Sequence, residues 1–242
     1  MVKSILSAIK AYSGTLKLIS KLGLWKYFGI PILISLITSS FIFGLAYTLS
    51  DNIGDFIGSF WKFEFGKEFF TKASSFFGGL SIVILGFILY KHIVLGLSSP
   101  FMSPVSEKIE NHFKGEHYQH KNTSFQEQLI RGVKLSIRNI CKELLLTIPL
   151  LLFGWIPIIG WCFTFLSFLI QAYYAGFGNI DYTLERHLSY KNSIAFVKQN
   201  KGLAIGNGIV FMLFLLIPVI GFIFVLPLSV TAATTETIKK LD

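Results

Sequence analysis

Charge is what this sequence has least of. Asp, Glu, Lys and Arg make up 14% of its residues against 52% apolar ones, a balance that a water-soluble globular domain does not have. Cysteine is nearly absent as well. Cys141 and Cys162 lie beside or inside apolar stretches without CxxC spacing, which excludes a disulfide framework and makes both buried small hydrophobes in expectation. No P-loop, HExxH or GxSxG occurs, and no paired titratable groups fall inside the apolar runs, so neither an enzyme nor a cofactor is expected. Of His112, His117 and His120 only the last two share a helical face. No cysteine or carboxylate cluster completes a closed site around them, so no metal centre is expected either.

What the sequence does have is long charge-free runs separated by short basic segments. The net charge of +9 is spread over those segments, where membrane topology rather than nucleic acid is the commoner reason for it. The first long run begins near residue 27 and is too long for a signal-peptide core, so no cleaved leader is expected. The whole of 1–242 reads as a single polytopic membrane domain, all α-helical.

Residues 1–26 hold five lysines and no acid. At about 100° per residue Ile5, Ile9, Tyr12, Leu16 and Ile19 gather on one face, with Lys3, Lys10, Lys17 and Lys21 opposite, an amphipathic helix suited to the membrane interface. The same pattern also fits a helix packed on the protein's own cytoplasmic face. A first span is expected over 27–50, which is charge-free and carries Pro31 near its start, where proline is best tolerated. A second is expected over 73–97, charge-free from Ala73 to Tyr90, with Lys91 snorkelling to the surface. Residues 103–143 read as a cytoplasmic helical segment, with Ser103 as N-cap and Pro104 at the first helical position. The excess of Lys and Arg in 91–143 and in the N-terminal segment places both inside, and the acidic 51–72 loop outside. N- and C-termini are both predicted cytoplasmic.

Residues 144–180 and 202–235 are too long for single crossings and must break. The breaks fall at Ile156-Pro157-Ile158-Ile159-Gly160 and Ile217-Pro218-Val219-Ile220-Gly221, where proline removes a helical hydrogen bond and glycine permits the turn. At an offset of 61, Leu152/Leu213, Phe153/Phe214 and Phe163/Phe224 are identical, so the two segments read as repeated helical hairpins. Legs of about 20–24 Å favour partial penetration of the bilayer. Pro157, Gly160, Pro218 and Gly221 are therefore candidate pathway or structural residues. Gly202-Leu-Ala-Ile-Gly206 fits close helix approach. Asp181, Glu185 and Arg186 follow an apolar leg and read as solvated charges at a helix end.

Gly23-Leu24-Trp25-Lys26 before a proline-bearing span, Pro100-Phe101 leading to Glu107-Lys108-Ile109-Glu110, Asn179-Ile180-Asp181-Tyr182 and the 202–235 hairpin together resemble the CysZ-type sulfate permease family. The likeness covers nearly the whole chain. It implies a bacterial inner-membrane protein of two full spans and two half-penetrating hairpins, oligomeric, passing sulfate into the cytoplasm for cysteine synthesis. In that family a Gly-Leu-Arg motif at the start of the first span binds sulfate. Here Trp25 stands where the arginine would fall and Lys26 follows it, so Gly23, Leu24 and Lys26 are the implied anion-binding residues, with Trp25 a candidate pathway residue. A non-transporting membrane scaffold is the alternative function.

Overall fold

The computed structural model describes residues 1–58, 85–115, 123–153, 160–217 and 220–241, and among these every regular element is helical. Helix α1 (Val2–Lys10) passes through a 3-10 turn (Ala11–Gly14) into α2 (Thr15–Lys21), and a second 3-10 turn (Leu24–Tyr27) leads into α3 (Gly29–Gly58). After them come α4 (Leu85–Leu97), α5 (Ser99–Lys114), α6 (Phe125–Phe153), α7 (Gly160–Leu184), α8 (Tyr190–Gln199), α9 (Lys201–Leu215) and α10 (Ile220–Leu241). Pro157 and Pro218 lie outside the described residues, as do His117 and His120.

Local chemistry explains several of the ends. Ser124 and Glu127 form a reciprocal capping box at the start of α6: the Ser124 amide donates to Glu127 Oε2 at 2.8 Å and the Glu127 amide to Ser124 Oγ at 3.3 Å. Ser189 caps α8 by accepting from the Asn192 amide. Three expected boundaries move. Helix α5 begins at Ser99 rather than after Ser103, with Pro100 in its first turn and Pro104 inside it. The first helical turn tolerates Pro100 because its missing N–H has no partner to lose there. Helix α3 runs on past Ser50 to Gly58, and α6 passes unbroken across residues 143 and 144.

At the centre is α7, packed on α6, α9 and α10. Its crossing with α9 is made by Ala172 and Gly176 against Ala204 and Gly208. A Cβ on Gly176 would lie 1.9 Å from the Ala204 carbonyl oxygen, and one on Gly208 would lie 1.7 Å from that of Ala172. Both pairs are spaced four residues apart, so small residues on one face of each helix bring the two backbones into contact. Gly202 and Gly206 do support close approach, and their partner is α1, through Met1, Ser4, Ile5 and Ala8. Thus α1 lies on the protein's own helices while Lys3 and Lys10 stay exposed.

Large apolar side chains cover the outside as well as filling the core, and several charged groups lie inside. Ile30, Leu33, Ile37 and Phe41 of α3, Trp161 and Phe165 of α7, and Leu213, Leu216 and Ile220 around the α9/α10 turn are all exposed. Lys91, Glu143, Glu110, Asp181 and Arg186 are buried. Cys141 and Cys162 are exposed, not buried as expected, because the apolar surface on which they sit faces outward. Among the described residues no single helix is both long and apolar enough to cross a membrane; α4 and α5, bent by 66° at Ser98, pass that test together.

Candidate functional site

Gly23 ends α2 with a left-handed backbone (φ 61°), a conformation costly for residues with a Cβ, and its amide donates to the Ser20 carbonyl at 3.2 Å. The chain then winds the turn Leu24–Tyr27 directly before α3. Leu24 is fully buried and anchors that turn in the core beside Phe28, so only its backbone is available to a ligand. Trp25 is half exposed. Its indole N–H donates to Ser20 Oγ at 3.2 Å, and its ring meets Phe28 and Phe224 edge-on with centroids 6.2 and 6.1 Å away. Phe224 belongs to α10, so α10 touches this segment. Lys26 is exposed, with Nζ 5.5 Å from the Tyr27 ring centroid.

The structure therefore gathers Gly23, Leu24, Trp25 and Lys26 on one turn at the entrance to α3, whose first amides have no partners within the helix. Gly160 and Gly221 lie elsewhere, at the starts of α7 and α10. Gly160 is buried and its carbonyl accepts from Thr164 Oγ1 at 3.0 Å. At Gly221 a Cβ would sit 2.0 Å from the Phe214 carbonyl oxygen, so no side chain fits where α10 folds back on α9.

Ionic groups that the sequence reading placed in solvent are instead inside. Asp181, Glu185 and Arg186 are each less than 10% exposed, because α7 is covered by α5 and α6 up to its C-terminal end. Arg131 donates from Nε and Nη2 to the two Asp181 oxygens at 2.9 and 2.8 Å. Arg186 reaches Ser106 Oγ at 2.7 Å and Glu110 Oε2 at 3.2 Å, while His187 Nε2 lies 2.8 Å from Glu110 Oε1. Burial pushes Glu110 up, but His187 and Arg186 more than offset this and hold the carboxyl below its usual range. At Glu185 the compensation is too weak to win. Burial, reinforced by Asp181, raises it to about 7 against weaker opposing pulls from Ser103, Arg186 and Arg131.

A third cluster went unread. Lys91, expected to snorkel, is fully buried and donates to Glu143 Oε1 at 2.5 Å, and His92 Nε2 lies 2.8 Å from Glu143 Oε2. Paired titratable groups thus occur beside the apolar runs after all. The available signal was positional: Lys91-His92 ends one charge-free run and Glu143 immediately precedes another. A fourth element is uncharged. Tyr12 Oη is 2.8 Å from both the Asn207 carbonyl oxygen and Ser229 Oγ, and Asn179 Nδ2 donates to Asn207 Oδ1 at 2.9 Å. One turn further along α7, Thr183 bonds Thr234 and Ser106, each at 3.0 Å.

Comparison with known proteins converges on one family. The family described as sulfate transporter CysZ/etoposide-induced protein 2.4 matches residues 11–225. Proteins named sulfate transporter CysZ from Vibrio cholerae serotype O1, among them those of strains M66-2 and O395, are 27% identical over 169 residues. That match spans 66% of this chain and 66% of each relative. On the extent of the family match, the chain belongs to the sulfate transporter CysZ/etoposide-induced protein 2.4 family.

Proposed function

We propose that this protein is a permease of the bacterial inner membrane that passes sulfate or a related oxyanion into the cytoplasm, without covalent catalysis or a cofactor. The observation that carries this reading is the outer surface: large apolar side chains face outward while ion pairs lie inside beside the apolar core. In water such a surface would aggregate, whereas in a bilayer it is the stable arrangement. Family membership and the name borne by the relatives supply the solute.

In this reading α3 and the chain through α4 span the bilayer, the two hairpins penetrate it in part, and copies of the chain assemble into an oligomer. Turn backbone at membrane depth has to be satisfied by protein or water, which favours a bundle with a wet interior. Gly23, Leu24 and Lys26 meet the oxyanion. Gly23 admits close approach, the backbone amides at the helix start supply donors, and Lys26 supplies charge. Lysine is a point charge and lacks the planar fork of guanidinium, so recognition here leans more on the backbone. Uptake of radiolabelled sulfate into proteoliposomes tests the proposal. Absence of flux, with the protein correctly inserted, favours the scaffold alternative.

A further inference from the structure

Two ammonium groups converge on one ring. Lys26 Nζ lies 5.5 Å and Lys108 Nζ 5.6 Å from the Tyr27 centroid, although one lysine precedes α3 and the other stands on α5. Lys108 and His112 are one helical turn apart, and with Leu22, Asn111 and Gly115 they line a cleft of about 560 Å³. An adjoining cleft of about 320 Å³ shares His112 and adds Lys17 and Lys21. Lys21 Nζ and His112 Nε2 are 3.5 Å apart, so α2 and α5 meet through two nitrogen groups rather than through an ion pair.

Among the described residues no carboxylate lines either cleft. Glu110, on the same helix, is buried and engaged by Arg186 and His187. Among the described residues the walls of the two clefts thus carry Lys17, Lys21, Lys108 and His112 and no counter-charge. A doubly charged anion beside Lys26 alone keeps one charge uncompensated. Lys108 is the group placed to balance it.

We propose that Lys21, Lys108 and His112 form a second oxyanion subsite, a vestibule for a tetrahedral dianion entering or leaving the Gly23–Lys26 turn. This rests on reading that turn as an anion site. A phospholipid headgroup carries the same phosphate chemistry, and the test separates the two sources.

The test is sulfate binding to the full chain in nanodiscs, measured by titration calorimetry for the parent and for Lys26→Gln, Lys108→Gln, His112→Gln and Lys198→Gln. In neutral phosphatidylcholine discs Lys108→Gln and His112→Gln are each expected to weaken binding about tenfold, while Lys198→Gln, on exposed α8, leaves it unchanged. If Lys26→Gln abolishes binding but Lys108→Gln and His112→Gln bind as the parent does, the second subsite is refuted and the first stands. A parent that binds no sulfate refutes both. If instead Lys108→Gln only reduces retention of phosphatidylglycerol in mixed discs and leaves sulfate affinity in neutral discs intact, the groove is a lipid site and the vestibule is rejected.

Discussion

Arg131 grips Asp181 with a two-pronged bond, Nε and Nη2 to the two carboxylate oxygens at 2.9 and 2.8 Å, and the same guanidinium reaches the Leu188 carbonyl at 2.8 Å and Ser193 Oγ at 2.6 Å. One side chain of α6 thereby fixes the end of α7, the connection after it and the first turn of α8. Removing one partner of such a pair leaves a buried charge behind, at a cost of roughly 3–5 kcal/mol. Arg131→Ala is therefore expected to lower thermal stability in detergent strongly. The double variant with Asp181→Ala should lose less than the sum of the single losses, with a coupling of about 1–3 kcal/mol in a double-mutant cycle. Additive losses would show that the pair does not act as a unit.

Backbone contact between α7 and α9 makes a second expectation. Gly176→Ala and Gly208→Ala each place a methyl within 2 Å of a carbonyl oxygen, against backbone that has no rotamer to give. Each should cost at least about 1–3 kcal/mol, the ordinary range for overpacking, and reduce the monodisperse fraction in fluorescence-detected size exclusion. Gly202→Ala loosens α1 alone and should be milder. Equal behaviour of all three would contradict the crossing.

The all-helical character of the fold was legible in the sequence because long apolar runs and the breaks between them mark helices and their ends. A helix break falls in the stretch that holds Gly221, α9 ending at Leu215 and α10 starting at Ile220. Gly23 and Lys26 were singled out by a resemblance to a local motif, and their sharing of one turn follows from chain adjacency. Pairings between distant elements were not legible. Nothing local distinguishes Lys91 at the end of an apolar run from an anchoring lysine, since its fate depends on Glu143, 52 residues away. Asp181, Glu185 and Arg186 look like solvated helix-end charges until α5 and α6 are seen to cover them.

Two of the buried carboxylates at the end of the bundle, Glu185 and Glu110, respond to pH in opposite directions. Glu185 has a folded-state value raised to about 7, so the folded protein holds a proton that the unfolded chain releases near 4.5. Its contribution is fully present below the unfolded value and is lost as pH rises through 7, a swing on the order of 3 kcal/mol. Glu110 is held low, so its contribution is present above the unfolded value and is lost as pH falls. Glu185→Gln should therefore raise the melting temperature at pH 8 more than at pH 5. Glu110→Gln should lower it at both. An equal effect of Glu185→Gln at the two pH values would remove burial as the cause.

Charge asymmetry predicts how the chain is oriented. In a background lacking Cys141 and Cys162, a cysteine at Gln199, in the net-basic segment between the hairpins, should label only from the cytoplasmic side, and one at Ser59 only from outside. A cysteine at Ile217 should resist impermeant reagents from outside if the second hairpin stops within the bilayer. Free labelling there from outside would turn the hairpin into two full crossings.

The most direct test is flux. The chain reconstituted into sealed proteoliposomes should take up radiolabelled sulfate, and unlabelled oxyanions of the same shape should compete. Lys26→Ala should cut uptake about tenfold or more at low salt without changing expression or oligomer size, and Trp25→Arg should strengthen binding by restoring a planar guanidinium at the turn. Uptake by Lys26→Ala equal to that of the parent at low salt would move the site away from this turn, and no uptake of any oxyanion by a correctly inserted parent would contradict the permease itself.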